Sequence, residues 1–226
     1  MSAALTPLLD AIHQEAQRET FPVDIPVYQS VKKDPLQPIL YAGNLTSPLC
    51  FFGRDLGRDE VAASQPLIGA AGTLVRRGLF NAIHQRAPAN QTELNTILQR
   101  VVLTNTVPYK PPGNKAYAVG VKERFRPFIE QLLVCHWQGN QIITLGTEAF
   151  KWFIPYGRKG EVMGYWGDRD RYAKTLPVTL TATDSAGQAH QKTAQLMPLP
   201  HPSPLNKQYY SKFPDMLQQR LNQIPF

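Results

Sequence analysis

Four short apolar runs constrain this chain more than any other feature: Leu49 to Phe52, Val101 to Leu103, Ile142 to Leu145 and Gln195 to Leu199. Each is short enough for a buried strand, and each stops at residues that end strands: Gly53, Thr104-Asn105, Gly146 and Pro200-His201. Helical patterns separate the first three. Ala71 to His84 puts Leu74, Val75, Leu79, Phe80 and Ile83 on one side; Lys122 to Trp137 and Thr147 to Phe153 follow strands two and three. Strands alternating with helices require right-handed crossovers and a parallel sheet. The expected fold is α/β, a three-layer α/β/α sandwich around a central four-stranded, mainly parallel sheet. TDSAGQ, between Val178–Ala182 and the stretch to Met197, reads as a hairpin turn, so the sheet ends in an antiparallel excursion.

The N-terminal end reads differently. Leu5, Leu8, Leu9, Ile12 and Ala16 have helical spacing, with Thr6 as N-cap and Pro7 at the first helical position. FPVDIPVYQSVKKDPLQPIL then carries four prolines and reads as an extended surface wrap. Residues 1–226 are expected to form one domain, with 1–45 as its helix and wrap. The formal charge of +7 points to a polyanionic partner, though a solvated basic surface explains charge equally well. Two isolated cysteines, Cys50 and Cys135, are too few for a zinc ribbon or a thiolate-held cluster and suit a reducing compartment. No apolar run reaches membrane-span length, and the N-terminus lacks a signal-peptide pattern. A cytoplasmic monomer without metal or cofactor is expected.

Polar residues sit just past strands one, two and four, the edge at which open parallel sheets bind ligands. There, GRDLG (Gly53–Gly57) resembles the G-Q-D-P-Y motif of uracil-DNA glycosylases. LTNTV (Leu103–Val107) resembles their L-L-N-T-V, and HPSPL (His201–Leu205) matches their last motif letter for letter. QPLIGAAGTLV, KPPGNKAY and RPFIEQL followed by ITLGTEA are similar to segments of the iron–sulfur bacterial and archaeal branch. The six segments run in order from about Leu49 to Leu217. The resemblance implies a monofunctional DNA glycosylase of base excision repair. It would flip a uracil-like base out of single- or double-stranded DNA and hydrolyse its glycosidic bond, leaving an abasic site. A catalytically weak DNA-binding or damage-sensing relative is the alternative.

The resemblance also assigns roles. Asp55 is the water-orienting carboxylate and His201 the donor that polarises uracil O2. Asn105 reads the base, since an amide accepts from N3–H and donates to O4 at once. Gly57, Leu67 and Arg54 border the base. Ser203 contacts phosphate, Leu205 is the wedge that fills the vacated stack, and Lys110, Lys115 and Lys207 form a rim along the DNA backbone. Plain structural readings stand beside these: a turn aspartate, an Asx-turn asparagine, a loop histidine held between prolines, and lysines that are merely solvated.

Four departures from the family pattern matter. Phe125 stands where a cluster ligand precedes P-F-L, so no cluster is expected and an apolar contact should replace it. Leu56-Gly57 replaces Pro-Tyr, which should leave space beside the base's C5. Leu67 occupies the place of the stacking aromatic; it is either a pocket wall or a core leucine, with Phe51, Phe52 or Tyr109 stacking instead. Arg54 should lower the pKa of Asp55 or pin it in an ion pair. Asp59 and Glu60 read as solvated loop charges, with substitute carboxylates for Asp55 as the alternative.

Overall fold

The computed structural model describes residues 5–113, 115–158 and 160–224. One six-stranded sheet organises them, in the order β1-β3-β2-β4-β6-β5. Its strands are β1 (Tyr41–Gly43), β2 (Leu49–Gly53), β3 (Val102–Asn105), β4 (Gln141–Leu145), β5 (Leu176–Thr183) and β6 (Ala189–Leu199). The four strands expected from the apolar runs are the parallel centre, β3-β2-β4-β6. Two antiparallel strands edge them. β5 is the hairpin partner foreseen around TDSAGQ, whose turn is tied by Asp184 Oδ1 accepting from the amides of Ala186 and Gln188. β1 was not expected: Tyr41 to Gly43 lies at the end of the wrap, just past the proline-rich stretch, and pairs with Val102 to Thr104.

Alternation along each strand builds two cores. Cys50 and Phe52 of β2 face one side with Val102, Ile142 and Leu196. Leu49 and Phe51 face the other with Leu103, Ile143, Met197 and Leu199. Against the first face pack α1 (Thr6–Arg18), α6 (Val119–Gln131), α7 (Thr147–Lys151) and α8 (Glu161–Gly167); against the second pack α4 (Ala70–His84), α5 (Gln91–Asn95) and α9 (Phe213–Leu221). The sheet is thus the middle of three layers. Its central strands read as continuous apolar runs because both their faces are covered.

Local corrections concern helix ends. Leu5, not Thr6, caps α1, and no side chain closes the cap; Thr6 and Pro7 are the first two helical residues. The wrap is not wholly extended, since α2 (Ile25–Ser30) forms with Pro26 in its first turn, where no amide donor is needed. α3 (Arg58–Ala63) rises directly from the GRDLG loop. The helix expected over Lys122–Trp137 begins at Val119 and finishes as a π-turn over Leu132–His136, with the Trp137 amide donating to Leu132.

Candidate active site

The C-terminal ends of β2, β3 and β6 open into one cleft of about 790 Å³. Its lining includes Arg54, Asp55 and Gly57 after β2, Leu67 ahead of α4, Asn105 at the end of β3, and His201, Ser203 and Leu205 after β6. Parallel pairing explains the convergence. Gly53 and Asn105 are register partners, so the β2 and β3 loops leave the sheet side by side. Thr106 then ties them, its amide and hydroxyl both donating to the Arg54 carbonyl.

Gly53 is needed for close approach, because a Cβ there would stand 2.7 Å from Asn105 Nδ2. The Asn105 amide consequently lies over the strand end, only 3% exposed, and its Oδ1 is buried with no hydrogen-bond partner among the described residues. Such an acceptor typically costs ~1–3 kcal/mol, which a ligand donor would recover.

The Asp55 side chain is also buried, 2% exposed, with Oδ2 2.7 Å from Arg54 Nε. The expected ion pair is present, but the expected lowering of the pKa is not. Burial raises the Asp55 pKa, and this outweighs the opposing pull of Arg54, of the Lys122 charge and of the Tyr117 main-chain amide. Arg54 itself is about one-third exposed at the cleft wall.

His201 follows β6 directly. Gly146, at φ +88°, brings the end of β4 against it: a Cβ on Gly146 would lie 2.9 Å from that of His201. The His201 carbonyl accepts from the Ser203 amide and from Asn206 Nδ2, closing a tight turn. The imidazole is solvent-exposed at its rim, yet the surrounding protein, and secondarily the charge of Arg54, lower its pKa. It is therefore neutral at pH 7 and has one N–H to donate. Ser203 Oγ accepts from the Leu205 amide at 3.3 Å, and Leu205 projects 92% exposed.

Several residues depart from expectation. Glu60 is not a solvated charge. Its Oε2 accepts from the Gly57 amide and its Oε1 from the amides of Ile68 and Gly69, clamping two cleft walls together. The space beside Gly57 is correspondingly not open, since a Cβ there would meet Glu60 Oε2 at 2.6 Å. Leu67 is both wall and core: it lines the cleft, is 8% exposed and packs in the second core cluster. Its φ of +55° is left-handed, a strained geometry for leucine. The Arg76 guanidinium pins that segment by donating to the carbonyls of Leu67 and Pro66.

The alternative stacking residues Phe51, Phe52 and Tyr109 are all fully buried, and no aromatic lines the cleft among the described residues. Lys115 and Lys207 are exposed, but Lys110 is 2% exposed, with its ammonium donating to Asp24 Oδ2, Pro111 O and Gly113 O. All three of its donors are spent, so it is internal rather than part of a rim.

Asn206 and Arg76 were not picked out in the sequence, Gly146 was read only as a strand end and Glu60 only as a solvated charge. Only Glu60 left a signal there, as an acid three residues after Gly57 at a helix start.

Phe125, at the position of a cluster ligand in the iron–sulfur branch, is buried with its ring 5.0 Å from Phe21 and 5.3 Å from Tyr109. Among the described residues no group of His, Cys, Asp or Glu is placed to hold a metal. The side chains here do not fit a thiolate-bound cluster. No described helix is long and apolar enough to cross a membrane.

No curated protein gives a significant match to the chain. The sequence profile described as the uracil DNA glycosylase superfamily matches residues 40–224, from just before β1 to past α9. That span takes in all six strands and every residue lining the cleft, so the chain belongs to the uracil DNA glycosylase superfamily, the DNA glycosylases of base excision repair.

Proposed function

We propose that the protein is a monofunctional glycosylase that hydrolyses the N-glycosidic bond of uracil, or of a related 5-substituted or deaminated base, in DNA. The observation that carries this reading is the buried, unpartnered Oδ1 of Asn105 in the cleft that also holds Asp55 and His201. An acceptor left open at that depth suits a ligand N–H, and the adjoining Nδ2 suits a carbonyl. Together they fit the N3–H and O4 edge of uracil and oppose that of cytosine.

The chemistry follows from the charges. As the bond from C1′ to the base breaks, its electron pair leaves with the base and the sugar becomes oxocarbenium-like. Asp55, ionised above its raised pKa, stabilises that cation and orients a water toward C1′. Neutral His201 donates to O2, where the leaving anion's charge collects. The water's oxygen bonds to C1′ and its proton leaves, giving free base and an abasic site. No lysine lines the cleft among the described residues, which supports hydrolysis over a Schiff-base route to strand cleavage.

Leu67 and Glu60 border the base and set how much bulk it carries. Leu205 fills the vacated stack, and Ser203, Lys115 and Lys207 contact the backbone. The absence of an aromatic wall among the described residues favours a second reading, a relative that binds damage but turns over weakly, because stacking typically contributes ~1–3 kcal/mol per base. Single-turnover excision on matched single- and double-stranded oligonucleotides carrying uracil, 5-methyluracil or hypoxanthine separates the readings. Release of free uracil supports the first; tight binding without release supports the second.

A further inference from the structure

Among the described residues four besides glycine have a left-handed backbone: Lys32, Ser64, Leu67 and Gln85. Lys32, Ser64 and Gln85 are exposed polar residues in turns or at helix ends. Leu67, at φ +55°, is buried, apolar and part of the cleft wall. Such geometry persists only where the surroundings over-determine it, and it gathers at ligand sites. Leu67 also stands beside the base-reading amide. Its Cδ2 and Asn105 Nδ2 flank one point above Gly53, where a Cβ would lie 3.5 Å from the first and 2.7 Å from the second.

The turn that carries Leu67, between α3 and α4, is anchored from Pro66 to Gly69. Arg76 Nη2 donates to the Pro66 carbonyl at 3.1 Å and Arg76 Nε to the Leu67 carbonyl at 2.8 Å. Thr73 Oγ1 donates to the Ile68 carbonyl at 3.0 Å. Glu60 Oε1 accepts from the amides of Ile68 and Gly69 at 2.9 and 2.8 Å. The first turn of α4 closes on the Leu67 carbonyl, which a Cβ at Gly72 would meet at 2.0 Å. Arg76 is the costly member of this set. It is 1% exposed, and its Nη1 has no hydrogen-bond partner among the described residues. A cation buried with an open donor lowers stability. What it holds in return is the pair of carbonyls that frame Leu67.

We propose that Arg76 is a positioning residue for base binding. It fixes Leu67 in its left-handed conformation, so that the Leu67 side chain stands against Asn105 and sets where a flipped base meets that amide. The inference rests on the cleft being the uracil site.

The test compares full-length wild type with Arg76→Met and Arg76→Lys, each also made in a Leu67→Gly background. Glycine adopts the left-handed φ without strain and leaves no side chain to position. The single-turnover rate of uracil excision is read at saturating enzyme, where loss of folded protein shifts the half-saturation point but not the plateau. The plateau should fall ~10- to 10²-fold in Arg76→Met, the scale expected when a reacting group is misplaced by about an ångström. Arg76→Lys keeps the charge but cannot span both carbonyls, so it should fall less, by a few-fold. It also carries the test should Arg76→Met fail to fold. In the Leu67→Gly background the same substitutions should change the plateau less than about two-fold, because coupled residues are not additive. Binding to abasic-site DNA should be unchanged throughout, and the Ile68 and Gly69 amides should exchange faster in D2O without Arg76. A wild-type plateau in the folded Arg76 variants, or the same loss with and without the Leu67 side chain, overturns the proposal. Wild type that excises no uracil would instead remove the functional reading beneath it, and the exchange rates of Ile68 and Gly69 then decide whether Arg76 holds the turn.

Discussion

The floor of the cleft and its β6 lip are built in opposite ways. On the floor, Asp55 and Asn105 stand on register-paired strand ends, tied by Thr106 and almost wholly buried. On the lip, His201 to Lys212 is a run of turns, rooted by Gly146 and Asn206 at one end and by a Tyr172–Tyr209 ring contact further along. Between those roots Leu205 and Lys207 face solvent. The contrast divides the labour. Groups that must meet developing charge are fixed beforehand, where reorganisation costs least. Groups that meet a deformable polymer sit on a surface that can follow it.

The groups that meet developing charge, Asp55 on the floor and His201 at the root of the lip, should give the largest effects. Asp55→Asn and His201→Leu should each lower the single-turnover rate ~10²-fold or more while leaving binding to abasic-site DNA intact. In wild type the rate should fall on acidification through a pKa above the ordinary carboxylate value, because burial raises that of Asp55. The sign for stability is opposite to that for activity. A raised folded pKa favours folding at acid pH, and that contribution is lost as pH rises and the buried group ionises. Asp55→Asn should therefore melt higher than wild type at pH 7, with the gain vanishing toward pH 4. Equal melting temperatures across that range would place Asp55 outside a desolvated site.

Next comes Asn105→Ala, which leaves the sheet intact but removes the base-reading amide. It should cost ~1–3 kcal/mol of binding to a uracil-containing strand and narrow the preference over cytosine. An unchanged preference would make Asn105 a strand-end residue only.

Leu67→Phe tests the wall between floor and core. Since Leu67 packs in the second core cluster at a left-handed φ, the larger ring should overpack and destabilise by ~1–3 kcal/mol. A stable variant with faster uracil release would show that the wall is open to an aromatic.

The exposed loop residues beyond these groups should respond least. Leu205→Ala should slow excision from duplex a few-fold and leave single strands unaffected, since only a duplex stack needs filling. Lys115→Ala and Lys207→Ala should each reduce the slope of log K against log salt by about 0.7–0.9. Lys110 belongs to neither group, because its charge is spent on Asp24.

This division also explains what was legible in the sequence. The parallel centre and its order of elements came through because β2, β3, β4 and the end of β6 are apolar on both faces. Asp55, Asn105 and His201 were legible because each follows such a strand directly. β1 was hidden by the prolines around it and by its length of three residues. Long-range partners left no local mark: nothing near Lys110 announces Asp24, 86 positions earlier, and nothing in GRDLG shows that burial outweighs the pull of Arg54 on its neighbour. Gly57 suggested empty space, but the carboxylate of Glu60 folds back into it.

The most direct test of the account is a single-turnover assay of wild type on uracil-containing DNA with the product identified. It predicts free uracil and an intact strand bearing an abasic site, broken only by later alkali, with the yield collapsing in Asp55→Asn. Uracil DNA that is bound but never cleaved, or a rate indifferent to Asp55, would contradict it.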